Sequence, residues 1–114
     1  VSLVGPQRDD LRVELGGREV ATHASRGQQR TIILALKLAE RDLLSVGGPA
    51  PIVLLDDVFS ELDAERSERL LGLLLERGQV LVTMADLSTL PSGHRGVAVW
   101  QVGEGRLRQT SRVA

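Results

Sequence analysis

The hydrophobic pattern of the chain is most distinctive at residues 52–55, which form an apolar run without alternation. Such a run is typical of a strand that is buried on both faces of a parallel sheet. Asp56 and Asp57 close the run, and aspartate is depleted in strands, so we expect the pair at the strand's C-terminal end. That end is where open α/β sheets bind ligands.

A long helix is predicted before this strand and a shorter one after it. The first begins after Ser25 and runs to about residue 46, and the apolar residues around its first half predict that this half is buried. The second runs from residue 64 to about residue 77, with Asp63 as its N-cap. Residues 79–83 form a second short apolar strand, which completes a β-α-β unit with a right-handed crossover.

Two β-hairpins are predicted outside this unit. Residues 11–15 alternate between apolar and charged side chains, and Gly16-Gly17 forms a two-residue turn into a second strand at residues 18–22. Residues 97–102 and 107–110 form a closing hairpin through a Gly-Glu-Gly segment.

The two histidines carry little predicted chemistry, because neither has a partner at metal-ligand spacing. His94 falls in residues 84–96, which are predicted to be a loop or a short helical turn, and we expect its side chain to be solvated. His23 is expected at the end of a strand.

The length of 114 residues allows one domain at most. The pattern predicts an α/β fold in a single domain over residues 1–114, with parallel strands, flanking helices and peripheral β-hairpins. The chain has no cysteine, which excludes disulfides and thiolate metal sites and fits a reducing compartment. No segment is long and apolar enough to span a membrane, and the start at Val1 suggests a processed chain or an excised fragment.

The charge and aromatic content limit how the chain can bind nucleic acid. Trp100 and Phe59 are its only aromatic residues, so base stacking on aromatic platforms is disfavoured. The net charge is -1 and Lys37 is the only lysine, so a global basic surface is excluded. The sequence does not exclude a local patch of arginines that binds nucleic acid.

The paired carboxylates at the strand end are the first candidate for chemistry. Asp56 can hold Mg²⁺, which prefers one or two carboxylates together with waters and substrate phosphates. Asp57 can orient or deprotonate an attacking water. The alternative is an aspartate pair that only forms a turn and caps the next element.

Residues 25–28 are the second candidate. Ser25 and Gln28 have the spacing of a capping box at the start of the long helix. A serine hydroxyl, a glycine amide at Gly27 and a helix N-terminus also form an anion site. The residues alone leave both readings open.

Four segments carry a resemblance to a known family. Residues 24–28 read Ala-Ser-Arg-Gly-Gln and resemble an ABC signature motif, and residues 54–57 read Leu-Leu-Asp-Asp and resemble Walker B. Residues 60–63 read Ser-Glu-Leu-Asp and resemble a D-loop. Residues 5–11 resemble a stretch that in the RecF family usually reads Gly-Pro-His-Arg-Asp-Asp-Leu. The chain thus resembles the C-terminal lobe of an ABC-type P-loop ATPase head of the RecF family, which is related to SMC and Rad50 heads.

The chain departs from the common ABC pattern at four positions. Ala24 and Arg26 replace a leucine and a glycine of the signature motif. Asp57 stands where most ABC proteins carry glutamate, and Met84 stands at the switch position that usually holds histidine. These replacements favour the RecF branch over transporters.

The resemblance implies a role for each motif in an ATPase of two heads that sandwich ATP. Asp56 is implied as the metal ligand and Asp57 as the catalytic residue, both in cis. The other implied site residues are Ser25, Arg26, Gly27 and Gln28 (nucleotide binding in trans), Ser60 and Asp63 (D-loop), and Thr83 and Met84 (switch region).

The resemblance also implies a function for the intact protein, a weak DNA-linked ATPase with ATP and Mg²⁺ as cofactors. It would dimerise on ATP binding at gaps or single-strand/duplex junctions of DNA, in the cytoplasm, during recombinational repair and the SOS response. RecR and RecO are the implied partner proteins. No Gly-x-x-x-x-Gly-Lys-Ser/Thr segment occurs in the chain, so the P-loop half is expected to be absent and the chain alone inactive. The alternatives are an SMC- or Rad50-like head fragment and a non-catalytic interaction lobe.

Overall fold

A computed structural model describes residues 9–76 and 78–112 of the chain. Residues 5–8 of the RecF-like segment lie outside the described residues. The strands are β1 (Glu14–Leu15), β2 (Arg18–Glu19), β3 (Val53–Asp56), β4 (Val80–Thr83), β5 (Ala98–Gly103) and β6 (Arg106–Arg112), and the α-helices are α1 (Val20–His23), α2 (Arg26–Leu44) and α3 (Ala64–Leu75). Two short 3₁₀ turns, Val58–Glu61 and Leu87–Thr89, follow β3 and β4.

The predicted parallel strand pair with an intervening helix is confirmed, and the handedness of its crossover stays a prediction. β3 and β4 pair in parallel, in a register that sets Leu54 opposite Leu81 and Asp56 opposite Thr83. α3 connects the two strands. Because parallel strands end at the same edge of a sheet, the last residues of β3 and β4 lie side by side.

The predicted start of α3 is also confirmed. Asp63 Oδ1 accepts a hydrogen bond of 2.9 Å from the backbone N–H of Arg66, which satisfies one of the otherwise unpaired amides of the first turn. α3 buries Leu70, Leu71 and Leu74, and Phe59 in the preceding 3₁₀ turn is only 3% exposed. These four side chains make up most of the buried apolar core of the described residues.

The exposure of β3 corrects a prediction. The run at residues 52–55 was expected to be buried on both faces, but Leu54 is 73% exposed and its partner Leu81 is 51% exposed. Val53 and Leu55, on the other face, are half-buried. Among the described residues, only one face of this two-stranded sheet is covered. The apolar pattern therefore indicates a face of the sheet that is suited to packing against a further part of a protein.

α2 corrects a second prediction in the same way. Its predicted buried half includes Ile33, which is 59% exposed, and the one buried side chain of the described helix is Arg41. The Arg41 guanidinium pairs with Asp42 Oδ1, at 3.2 Å from Nε and 3.0 Å from Nη2. The chain divides into two compact units, and the boundary in the sequence falls within α2, between Glu40 and Arg41.

The first hairpin is shorter than predicted. Gly16 and Gly17 form its turn with positive φ of 60° and 76°, as a two-residue turn requires. The second strand ends at Glu19, and Val20–His23 form a helical turn, closed by the bond from Ala24 N to Val20 O. His23 therefore ends a helix and not a strand.

The closing hairpin of β5 and β6 is confirmed, with Glu104 and Gly105 as its turn residues at φ of 50° and 70°. The expectation for His94 was wrong, because this side chain is half-buried and its Nδ1 contacts the carbonyl oxygen of Pro91. No helix in the described part of the chain is long and apolar enough to cross a membrane.

Candidate functional site

The end of β3 and the end of β4 are joined by a hydrogen-bond network through Thr83. The Thr83 hydroxyl donates to Asp56 Oδ1. The backbone N–H of Asp57 donates to the Thr83 carbonyl at 3.0 Å and to the Thr83 hydroxyl at 3.2 Å. The paired strand ends therefore hold both aspartates at one edge of the sheet, as the sequence predicted.

Asp57 leaves the strand in a left-handed backbone conformation, with φ of 47° and ψ of 35°. Aspartate is one of the few residues that tolerate this conformation. Ser60 Oγ lies 2.9 Å from Asp57 Oδ2 and 2.9 Å from the Asp57 carbonyl oxygen. The two neighbouring carboxylates thus have different partners: Thr83 holds Asp56, and Ser60 holds Asp57.

Two of the D-loop-like residues make hydrogen bonds that stabilise the local structure. Ser60 binds the Asp57 carboxylate, and Asp63 caps α3. Phe59, the residue before Ser60, is buried and anchors the 3₁₀ turn. The segment from Asp57 to Asp63 is therefore held at both ends and in its middle.

The residues at the edge fit a magnesium ion bound together with phosphates. Asp56 is exposed, and among the described residues the only hydrogen-bond partner of its carboxylate is Thr83, which leaves Oδ2 available as a hard oxygen ligand. No group of three or more histidine, cysteine or acidic side chains that could hold a metal occurs in the described part of the chain. A nucleotide-bound Mg²⁺ needs only one or two carboxylates, because waters and phosphates complete its shell.

The predicted capping box at α2 is confirmed. The Gln28 N–H donates to Ser25 Oγ at 3.2 Å, and Gln28 Oε1 accepts from the Ser25 N–H at 2.9 Å. Because Ser25 Oγ accepts in this pair, its own hydroxyl proton is available to a further acceptor. A Cβ added at Gly27 would meet nothing within 4 Å, so the backbone there is open to close approach.

The surroundings of this segment are polar and accessible. Arg26 is exposed and has no ion-pair partner among the described residues. A cleft of about 170 Å³ lies beside the segment; it is lined by Leu15, Arg18, Val20, His23, Ala24 and Gln28. The segment thus combines a serine hydroxyl, an open glycine and a helix N-terminus, which are the features that the anion-site hypothesis requires.

The two residues of the predicted switch region have different surroundings. Thr83 contacts both strand-end aspartates, whereas Met84, one residue later, is half-buried and has no polar partner in the described chain. Sequence reasoning placed Thr83 in the switch region but missed its bond to Asp56. The sequence offered one indication of this bond, because Thr83 and Asp56 each end one of two predicted neighbouring parallel strands.

A contact that sequence reasoning missed fixes the loop after β4. Glu68 Oε1 on α3 accepts from the Ser92 N–H at 2.8 Å and from the Ser92 hydroxyl at 2.7 Å. The hydrogen bond from the Ser92 hydroxyl, followed by the amides of Ser92 and Gly93 and the charge of His94, lowers the pKa of Glu68. A Cβ at Gly93 would lie 2.8 Å from Glu68 Oε2, so a larger residue there would displace the end of the Glu68 side chain.

Comparison with known proteins identifies the family. No protein-family model matches the chain. Among curated proteins, the DNA replication and repair protein RecF of Synechococcus sp. (strain JA-3-3Ab) is 44% identical over 108 residues, which are 93% of this chain and 28% of the relative. RecF of Herpetosiphon aurantiacus is 51% identical over 89 residues, or 76% of this chain and 23% of the relative. The chain belongs to the RecF family.

A solved structure supports the same assignment. The recombination mediator protein RecF with ATPrS, in the RecFOR pathway, has a TM-score of 0.66 and 31% identity to this chain. The match covers 96% of this chain and 29% of that RecF chain. The α/β fold described above is therefore that of part of a RecF-type, ABC-type ATPase head. The chain spans less than a third of the length of the RecF proteins it matches.

Proposed function

We propose that this chain supplies the signature motif, Walker B and D-loop of a RecF-type DNA replication and repair ATPase. The observation that carries the proposal is the edge of the β3–β4 sheet, where Asp56, Asp57 and Thr83 are held together. This is the edge at which open α/β sheets bind their ligands. The relatives at 44% and 51% identity carry the name of a replication and repair protein, which sets the biological context.

Asp56 and Asp57 divide the chemistry of the proposed site. Asp56 offers its Oδ2 to a magnesium ion, while Oδ1 stays on Thr83. Bound Mg²⁺ would neutralise charge on the β- and γ-phosphates as the γ-phosphoryl group is transferred. Asp57 orients the attacking water and accepts its proton, and Ser60 positions the Asp57 carboxylate for this task.

The signature segment acts on the nucleotide of a second copy. Ser25 donates its unused hydroxyl proton to the γ-phosphate, and the open backbone at Gly27 permits that phosphate to approach. Arg26 adds positive charge at the same helix terminus, and Gln28 holds Ser25 in place from within its own chain. ATP binding would thereby join two copies.

The partners proposed for the whole protein follow from the family. They are DNA with gaps or single-strand/duplex junctions, a second copy of the protein, and the mediators RecR and RecO. The solved RecF structure in the RecFOR pathway supports the mediator partners. We place this function in the cytoplasm, because the bacterial relatives are named for work on DNA.

The test is ATP turnover by a full-length RecF-family protein that carries this chain. Asp56→Asn removes the metal ligand's charge and is expected to abolish Mg²⁺-dependent turnover, while nucleotide binding without Mg²⁺ persists. Asp57→Asn keeps Mg²⁺-ATP binding and loses turnover.

The matched control is Asp86→Asn, which removes a carboxylate that caps the 3₁₀ turn after β4. We expect this variant to keep most of its turnover. Undiminished hydrolysis in both Asp56→Asn and Asp57→Asn would reject the ATPase assignment and favour a lobe that only docks partners.

A further inference from the structure

We infer that Thr83 is a positioning residue for the metal ligand Asp56. Its hydroxyl occupies Oδ1 and thereby leaves Oδ2 as the oxygen that would bind the cation. The inference rests on the proposed magnesium role of Asp56 and adds a residue that determines how well that role is performed.

The direction of the hydrogen bonds fixes the role of the hydroxyl. A threonine hydroxyl has one proton to donate and can also accept. The backbone N–H of Asp57 is a donor and points to Thr83 Oγ1 at 3.2 Å, so the hydroxyl accepts there. Its proton is therefore directed to Asp56 Oδ1. The amide, the hydroxyl and the carboxylate form one chain of hydrogen bonds across the two strand ends.

Thr83 is the only described group that restrains the Asp56 side chain. No other hydrogen bond or ion pair to the Asp56 carboxylate occurs within residues 9–76 and 78–112. Without the hydroxyl, the carboxylate can rotate about its terminal torsion, which is broad and has no sharp preference. A single hydrogen bond thus restrains the orientation of this carboxylate.

The restraint on the Asp56 carboxylate is expected to affect the affinity for Mg²⁺. Mg²⁺ demands nearly ideal octahedral geometry at about 2.0–2.1 Å, so a rotating ligand binds it less well than a fixed one. Hydrogen-bond partners of a metal ligand commonly contribute about 10–100-fold to metal affinity. We expect an effect of this size from Thr83.

Position along the strand explains why Thr83 and not Met84 has this task. Thr83 is the last residue of β4 and is paired with Asp56, so their side chains lie on the same face of the sheet. Met84 follows the strand, and a thioether is only a weak acceptor that cannot donate to a carboxylate. The switch-region residue that contacts Walker B is thus one position earlier than the residue that replaces the usual histidine.

The experiment titrates Mg²⁺ into a full-length RecF-family protein that carries this chain and holds a fluorescent, non-hydrolysable ATP analogue. The readout is the Mg²⁺ concentration at half-saturation of the fluorescence change, which requires no turnover. Thr83→Val keeps the shape and removes the hydroxyl, and we expect it to raise this concentration about 10–100-fold. Thr83→Ser restores the hydroxyl and is expected to return the value to within about threefold of wild type.

Two further variants complete the test. Thr110→Val is the control, because Thr110 is also an exposed strand threonine, whose hydroxyl donates to the Val99 carbonyl at 3.2 Å, and it should leave the titration unchanged. Thr83→Ala removes the hydroxyl without adding a methyl group to the strand end. It serves as the second hydroxyl-free variant if Thr83→Val folds poorly.

The outcomes separate this inference from the function on which it rests. If Asp56→Asn abolishes the Mg²⁺ response while Thr83→Val and Thr83→Ala titrate like wild type, Thr83 has no positioning role and the site stands. If Asp56→Asn itself leaves the titration unchanged, the magnesium role of Asp56 is wrong. A Thr83→Ser variant as impaired as Thr83→Val would assign the effect to packing and overturn the inference.

Discussion

At the scale of single residues, the conformation of Asp57 explains one departure from the ABC pattern. Its φ of 47° lies in the left-handed region, which aspartate and asparagine adopt more readily than longer side chains. The short side chain also lets the carboxylate meet the Ser60 hydroxyl at 2.9 Å. Aspartate in place of the usual glutamate therefore suits this backbone, and Ser60 holds the carboxylate that results.

This geometry gives a prediction for Ser60. Ser60→Ala leaves the Asp57 carboxylate without its only described side-chain partner, and we expect turnover by the full-length protein to fall about tenfold, as the loss of a hydrogen bond to a charged group implies. Affinity for Mg²⁺-ATP should stay unchanged, because Asp56 and Thr83 are intact.

The control is Ser45→Ala, which removes a serine hydroxyl bonded 2.7 Å from the Arg41 carbonyl at the far end of α2. Turnover in this variant is expected to match wild type. A Ser60→Ala variant that loses nucleotide affinity and not turnover would show that Ser60 serves the fold of the loop and not Asp57.

At the scale of elements, the sequence predicted those features that depend on local chemistry. The N-caps at Ser25 and Asp63 were readable because each needs only a side-chain oxygen and an amide two or three residues later. The exposure of Leu54 and Ile33 could not be predicted from the sequence. An apolar pattern shows that a face is suited to burial, but it does not show which part of the protein packs against that face. The Thr83–Asp56 and Glu68–Ser92 bonds join residues far apart in sequence, so they required the register of the strands and the path of the loop.

The Glu68–Ser92 contact predicts a pH dependence of the loop after β4. The folded pKa of Glu68 is lowered, so the contact stabilises the folded loop above the unfolded pKa and is lost as pH falls through the lower, folded pKa. We therefore expect the Ser92 amide to be protected from hydrogen exchange near neutral pH and to lose that protection in acid. Glu68→Gln keeps an acceptor oxygen but loses the charge, so it should show weaker protection at neutral pH and resemble wild type in acid.

The control for this prediction is Glu104→Gln, which removes a negative charge at the β5–β6 turn. Exchange of the Ser92 amide in this variant should follow wild type at every pH. Equal protection in wild type and Glu68→Gln at neutral pH would contradict the proposed contact.

At the scale of the whole molecule, the open face of the β3–β4 sheet is the face that carries the candidate site. Leu54 and Leu81 are paired and exposed, and Asp56 and Thr83 follow on the same face, two residues along each strand. We expect the remainder of a RecF-length chain to cover this apolar face and to bring its phosphate-binding loop next to Asp56. The chain spans less than a third of its relatives, which leaves ample length for that cover.

The 114 residues alone are therefore expected to bind Mg²⁺-ATP weakly and to hydrolyse none. The proposed anion site at the start of α2 would offer about 0.3–1 kcal/mol, whereas micromolar binding needs about 8 kcal/mol. The amides and lysine that hold the phosphates belong to a P-loop that this sequence does not contain. Titration calorimetry of the 114-residue chain is the check, and micromolar affinity would show that it carries a complete nucleotide site.

The central claim is that Asp57 acts in cis while Ser25 acts in trans, and mixing two inactive variants of a full-length RecF-family protein tests it directly. Ser25→Arg blocks the signature segment and Asp57→Asn removes the base, so each variant alone should be inactive. A mixed dimer has one site in which an intact Asp57 faces an intact Ser25 from the other copy. With half the dimers mixed and one working site in each, the account predicts recovery of about a quarter of wild-type turnover. A mixture that stays as inactive as its components would contradict the account.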